Sequence, residues 1–250
     1  MLLNPLYYTE QHLAFAESVR RFTEKEISPF ITKWDEAETF PRELYKKAAD
    51  IGLLGVGFDE NYGGIAGTDA FYTLLASVEL AKCASGGLAA SLLSHTIGTP
   101  PIQHFAQEEV KAEVLPQILS GEKISALAIT EPSGGSDVAA LKTKAVRDGN
   151  DYIVSGEKTF ITSGIRADYY SVAVRTDPNA KGANGISMLL IDAHSEGITK
   201  SKLDKMGWWA SDTAHLHFDS VRVPAKNLLG AENMGFFVIM NNFNMERFFL

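Results

Sequence analysis

Through the first half of the chain, apolar residues recur every three or four positions, the spacing of one helix face. Thr9 is a fitting N-cap, followed at that spacing by Phe15, Val19 and Phe22. Pro41 suits a first helical position, with Leu44, Ala48 and Ile51 as the apolar stripe and Gly52 as the stop. Asp69 can cap a third helix that carries Phe71, Leu74, Leu75 and Val78. Gly86–Gly87 and Pro100–Pro101 punctuate two further helical segments, and Val110, Val114 and Ile118 mark another that ends near Gly121.

The second half changes period. Segments 124–130, 143–147, 152–155, 169–175, 186–191 and 214–218 are short and rich in β-formers. Asp148–Gly149–Asn150–Asp151 between two of them is a hairpin signal. Short strands joined by turns predict an antiparallel barrel or sandwich. From Gly235 to Leu250 the pattern is again helical and apolar nearly all round, so this helix must be buried against something. The expected class is α+β. It has an N-terminal helical domain (1–122), a middle β domain (123–231) and the first helix of a C-terminal helical domain (232–250), which the chain is expected to carry in truncated form.

Composition narrows the function. At 45% hydrophobic and 22% charged, the 250 residues can build a true core. A net charge of −8 argues against nucleic acid as a partner, since phosphate backbones demand Lys and Arg. Cys83 is the single cysteine, so neither an internal disulfide nor a cysteine metal cluster can form. His215 and His217 share a face if they lie on a strand, but no third ligand is evident and no metal is expected. The opening MLLNPLYYTEQ lacks a basic, apolar leader, and no run is long enough to span a membrane; a cytoplasmic protein is expected.

Gly52, Gly55 and Gly57 imitate a dinucleotide fingerprint but lack the preceding strand and the third glycine; a tight loop between helices is the better reading. More informative is Leu127–Ala128–Ile129–Thr130–Glu131–Pro132–Ser133–Gly134–Gly135–Ser136–Asp137–Val138. An apolar strand delivers Thr130, breaks at Pro132 and leads into a small, polar loop whose N–H groups can approach an anion or a polar ring edge. By local chemistry alone it is equally an ordinary strand-to-turn junction.

This segment resembles the signature of the acyl-CoA dehydrogenase family. The resemblance continues through Glu157–Lys158–Thr159–Phe160–Ile161–Thr162–Ser163–Gly164, Lys205–Met206–Gly207–Trp208, Ser211–Asp212–Thr213 and Val221–Arg222–Val223–Pro224. It covers essentially the whole chain. It implies that FAD is the cofactor, held by Leu127, Ile129, Thr130, Ser136, Phe160, Ile161 and Thr162. Thr162 is then a donor near the flavin N5, Phe160 packs against the ring where many relatives have Trp, and Ser136 sits where flavin and CoA meet.

Abstracting a proton beside a thioester requires a positioned base with a raised pKa, and a carboxylate on an apolar helix face meets that need. Glu246 shares a face with Ile239, Phe243 and Leu250. By helix geometry alone it is equally a rim glutamate paired with Arg247. The resemblance to the isovaleryl-CoA and long-chain branches of the family makes Glu246 the base. It makes Phe243, Asn244 and Arg247 substrate contacts, although the family often has Asp where Asn244 stands.

The implied reaction is oxidation of an acyl-CoA to the trans-2-enoyl-CoA, with electrons passed to an electron-transfer flavoprotein by a dimeric or tetrameric homo-oligomer. The resemblance also places part of the flavin and nucleotide site in later helices, so the 250 residues alone are expected to be inactive or unstable. The alternatives are an acyl-CoA oxidase or flavin monooxygenase on the same scaffold, and a non-catalytic acyl-CoA-binding protein.

Overall fold

The computed structural model describes residues 7–249, with side chains as far as Phe243. Its first half is helical: α1 (Glu10–Phe22), α2 (Ile31–Glu36), α3 (Glu43–Asp50), α4 (Ala70–Ala81), α5 (Gly86–Leu92), α6 (His95–Gly98), α7 (Pro100–Phe105) and α8 (Glu108–Leu119). The expected caps form. The Thr9 side chain accepts the His12 N–H, and Asp69 accepts the Phe71 N–H. Gly52 ends α3 in the left-handed conformation (φ 80°). Pro41 instead lies two residues ahead of α3, its carbonyl accepting the Leu44 N–H.

The strands are β1 (Ser125–Ala128), β2 (Lys144–Asp148), β3 (Asp151–Thr162), β4 (Tyr169–Arg175), β5 (Ile186–Asp192), β6 (Ile198–Lys202), β7 (Thr213–Pro224) and β8 (Leu228–Leu229). They form one sheet in the order β6-β7-β3-β2-β4-β5-β8, with β1 on β4. Most pairings are antiparallel, and Asp148 faces Asp151 across the expected two-residue hairpin. The pairing of β1 with β4 is parallel, as is the single contact of β2 with β4. A long excursion separates β1 from its partner, and that excursion carries the signature loop. Helix α9 (Gly235–Phe249) closes the described chain.

Two buried clusters tie the layers together. One joins Val19, Leu44, Leu80, Leu88 and Leu92 of the helices to Ala126, Val154, Val172 and Leu216 of the sheet. The other packs Ile102, Val110, Val114 and Ile118 of α7 and α8 against Ile186, Met188 and Leu190 of β5 and Val238 and Ile239 of α9. Strands β4 and β5 are therefore buried on both faces, and each large aliphatic side chain there contributes about 1.5–3 kcal/mol. Gly98 lets α6 lie on β1: a Cβ there would come within 3.0 Å of the Ala126 backbone.

Candidate functional site

The site is built where β1 leaves the sheet. Thr130 is followed by a tight turn in which Glu131 and Gly134 exchange backbone hydrogen bonds across Pro132 and Ser133. The Glu131 side chain turns inward, only 4% exposed, and meets Lys158 of β3, which is 0% exposed. The Lys158 ammonium donates to Glu131 Oε1 (2.9 Å) and to the Ile129 carbonyl (3.0 Å). The carboxylate also accepts the backbone N–H groups of Lys142 (2.6 Å) and Thr143 (2.8 Å). Burial alone would raise the Glu131 carboxyl, but the Lys158 charge and the Thr143 and Lys142 donors outweigh it and hold it below its ordinary range. Burial pulls Lys158 down to about 8, against the opposing attraction of Glu131.

Beside this pair β3 bulges. Its register against β7 slips between Lys158 and Ile161, and the bulged Phe160 adopts a left-handed backbone (φ 60°). Its ring is 69% exposed. A β-bulge residue in this conformation costs about 1–2 kcal/mol and here recovers nothing by burying its ring. The Thr159 N–H donates to the Thr130 carbonyl (2.9 Å), so Thr130 lies alongside the bulge. Thr162 follows, paired with Thr213. Thr130 and Thr162 are half-buried, and neither hydroxyl has a hydrogen-bond partner among the described residues. An exposed ring flanked by two unpartnered hydroxyls fits a flat ligand with polar atoms on its edge.

The remaining expected contacts divide. Ser136 is exposed and Leu127 half-buried. Ile129 and Ile161 are 6% and 2% exposed and point into the two cores, so only their backbones are open to a ligand. Phe243 packs against the second core cluster. Asn244, Glu246 and Arg247 lie outside the residues whose side chains are described.

A second buried pair holds the turn after Thr162. Asp212 accepts the Arg166 Nε (2.5 Å) and the Ile165 N–H (2.7 Å), while the Arg166 guanidinium lies 4.0 Å over the Phe40 ring. Behind the turn, Ser163 meets Ser94 (3.0 Å) and Ser91 meets Ser211 (2.9 Å), all buried. Glu131, Lys158 and Asp212 lie in the sequence motifs without an expected role. A signal was present: Tyr152, Val154 and Lys158 share the even, buried phase of β3, which puts a lysine in the core.

An apolar cavity of about 240 Å³ opens nearby between α4, α6, the 56–58 loop and α9. Val56, Phe58, Thr73, Ser77, Leu93, Ile97, Asn241 and Asn242 line it. Asn242 fixes α9 to this wall by donating to the Ile97 carbonyl (2.8 Å). Behind Phe58, burial lowers His95 to about 4, so its imidazole is neutral. His215 and His217 do share a face with Glu157, at 3.9 and 3.5 Å, but no group of three donors placed to hold a metal occurs among the described residues.

Comparison with known proteins agrees with this geometry. The model of the acyl-CoA dehydrogenase N-terminal domain matches residues 9–122, and that of the acyl-CoA dehydrogenase middle domain matches residues 126–221. The chain belongs to the acyl-CoA dehydrogenase family. The long-chain specific acyl-CoA dehydrogenase, mitochondrial, of Rattus norvegicus is 40% identical over 242 residues, which is 96% of this chain and 56% of the relative. A crystal structure of a probable acyl-CoA dehydrogenase from Mycobacterium abscessus is 45% identical with a TM-score of 0.91, covering 96% of this chain and 63% of that one. An acyl-CoA dehydrogenase from Bacillus anthracis, solved complexed with FAD, is 31% identical with a TM-score of 0.90; the match covers 98% of this chain and 42% of that one. The chain thus spans little more than half the length of the curated relative. The family's helix–sheet–helix order accounts for the α+β fold found here.

Proposed function

We propose that these residues form the flavin platform, acyl pocket and base of an FAD-dependent dehydrogenase that converts an acyl-CoA to the trans-2-enoyl-CoA. The observation that carries this reading is Phe160, held exposed in a strained bulge between two half-buried, unpartnered threonine hydroxyls. Phe160 offers a face for the isoalloxazine, Thr162 a donor near its N5, and Thr130 a donor on the opposite side. Bound FAD supplies the hydride acceptor for the β carbon.

The chain's own residues do the rest. The cavity takes the acyl chain, and its apolar wall excludes water from the reacting carbons. Glu246 lies four residues, one helical turn, beyond the cavity-lining Asn242. As the base, Glu246 would remove the α proton, a role that calls for a carboxyl whose pKa is raised toward neutrality. Ser136, Phe243, Asn244 and Arg247 border the CoA arm. Electrons then pass to an electron-transfer flavoprotein, and a cytoplasmic homo-oligomer, dimeric or tetrameric, completes the reading. Support comes from the family match and from the relative solved with FAD. Among the described residues no helix is long and apolar enough to cross a membrane.

The resemblance assigns part of the flavin and nucleotide site to residues beyond these, so one reductive half-reaction is the proper readout, not sustained turnover. FAD added to the purified chain should give a yellow protein. In the protein extended to the full length of its relatives, an acyl-CoA added without oxygen should bleach the flavin and yield a matching amount of enoyl-CoA, whereas the 250 residues alone should not. Glu246→Gln should keep the flavin and lose the bleaching. Bleaching by the variant would move the base elsewhere. FAD uptake with no bleaching by any thioester would favour the binding-only alternative.

A further inference from the structure

The buried pair of Glu131 and Lys158 touches no open surface, yet it holds the residues on either side of the flavin face. Lys158 Nζ draws the Ile129 carbonyl inward at 3.0 Å. The peptide between Ile129 and Thr130 is trans, like every peptide of the described chain. In a trans peptide the carbonyl and the next N–H point in opposite directions. The Thr130 N–H is therefore aimed away from Lys158. It has no acceptor among the described residues. Its neighbour obeys the same logic with a closed result: the Thr130 carbonyl accepts the Thr159 N–H, and the Glu131 N–H turns back to the Gly134 carbonyl.

Glu131 in turn fixes Lys158. Its second oxygen is occupied by the Lys142 N–H, and Thr143 bonds through both its N–H, to Glu131, and its hydroxyl, to the Glu157 carbonyl (3.1 Å). The ammonium is thereby confined between β1 and β3. Gly135 leaves room for the Thr130 side chain on the outer side: a Cβ there would press on Thr130 Cγ2 at 3.1 Å.

We infer that Lys158, held by Glu131, is a positioning residue that orients the Ile129–Thr130 peptide so that the Thr130 N–H is presented as a donor to the flavin edge. The inference rests on the flavin reading for its ligand, but not for the orientation of the peptide. Two sources of evidence separate them. In the flavin-free wild-type chain, amide exchange followed by NMR should show a fast Thr130 N–H beside a protected Thr159 N–H. A protected Thr130 would overturn the proposal without any variant.

Lys158→Met leaves a buried carboxylate without its cation and destabilises the fold, so the double variant Glu131→Gln/Lys158→Met, which leaves no buried charge unpaired, is the decisive one. In the folded double variant the Thr130 amide cross-peak should move or split while those of Val154 and Val172 stay in place. The affinity for FAD should fall about tenfold, the loss of roughly one hydrogen bond. A Thr130 cross-peak at its wild-type position, or an unchanged FAD affinity, would overturn the positioning role. A wild-type chain that takes up no FAD would instead defeat the flavin reading, while the flavin-free spectra would still decide how the peptide is held.

Discussion

At the scale of single residues, the site separates stability from binding. The Phe160 ring meets solvent, so Phe160→Ala should change the unfolding free energy by less than about 0.5 kcal/mol. The same change should weaken FAD binding several-fold, because the stacking face is gone. Denaturant melts and flavin titrations of one preparation check both halves. Equal loss of stability and affinity would mean the ring serves the fold.

His95 gives the opposite case, a residue with a fold role and a pH signature. It is 2% exposed, between the Leu92 and Leu54 carbonyls, with its pKa lowered to about 4. The unfolded chain takes up this proton near the ordinary value of about 6.5 and the native chain does not. Stability is therefore unaffected above that value and is lost as pH falls from about 6.5 toward 4. The full loss is about 3 kcal/mol. Denaturant midpoints across that range should show the slope, and His95→Gln should remove this component of it.

What the chain text reveals at this scale is uneven. The identity of Phe160 pointed to a ring contact, but its left-handed backbone depends on the slip between β3 and β7, a non-local property. Ile129 and Ile161 were expected at the flavin; their side chains serve the two cores, which leaves their backbones for any such contact. Lys158 falls on the buried phase of β3 shared with Tyr152 and Val154, a signal that went unread because the strand was expected to end at Ser155; recognising its partner required knowing that β1 passes beside it.

At the scale of elements, the sequence motifs prove to be mutual supports. Glu131 of the first motif holds Lys158 of the second, and Asp212 of the third holds Arg166 just beyond the second. Arg166→Leu should cost about 3 kcal/mol, because Asp212 is left buried and short of its cation. It should also loosen the turn after Thr162. Thermal melts measure the first effect, and exchange at Ser163 and Gly164 the second. Helices were legible because their stripes and caps are local. Strand β6 was not foreseen: Ile198–Lys202 reads ITKSK, with a single apolar residue, as befits an edge strand with one pairing partner. Strand β3 was foreseen too short, because its second half carries a motif in place of alternation.

At the scale of the molecule, the first core cluster joins residues of α1, α3, α4 and α5 to residues of β1, β3, β4 and β7. A core shared in this way leaves neither layer able to unfold while the other keeps its packing. Calorimetry of the chain should therefore show one cooperative transition, with the helical and sheet signals lost together. Two separated transitions would show that the layers are independent. The cavity beside α9 belongs to this scale too, since its walls come from helices distant in sequence and from α9. No periodicity marks such a space, and it was not foreseen.

The most direct test of the account is a crystal structure of this chain with FAD bound. The isoalloxazine should lie against Phe160, with its N5 in hydrogen-bonding reach of Thr162 Oγ1 and its far edge at the Thr130 N–H. A flavin seated elsewhere on the chain, with Phe160 still facing solvent, would contradict it.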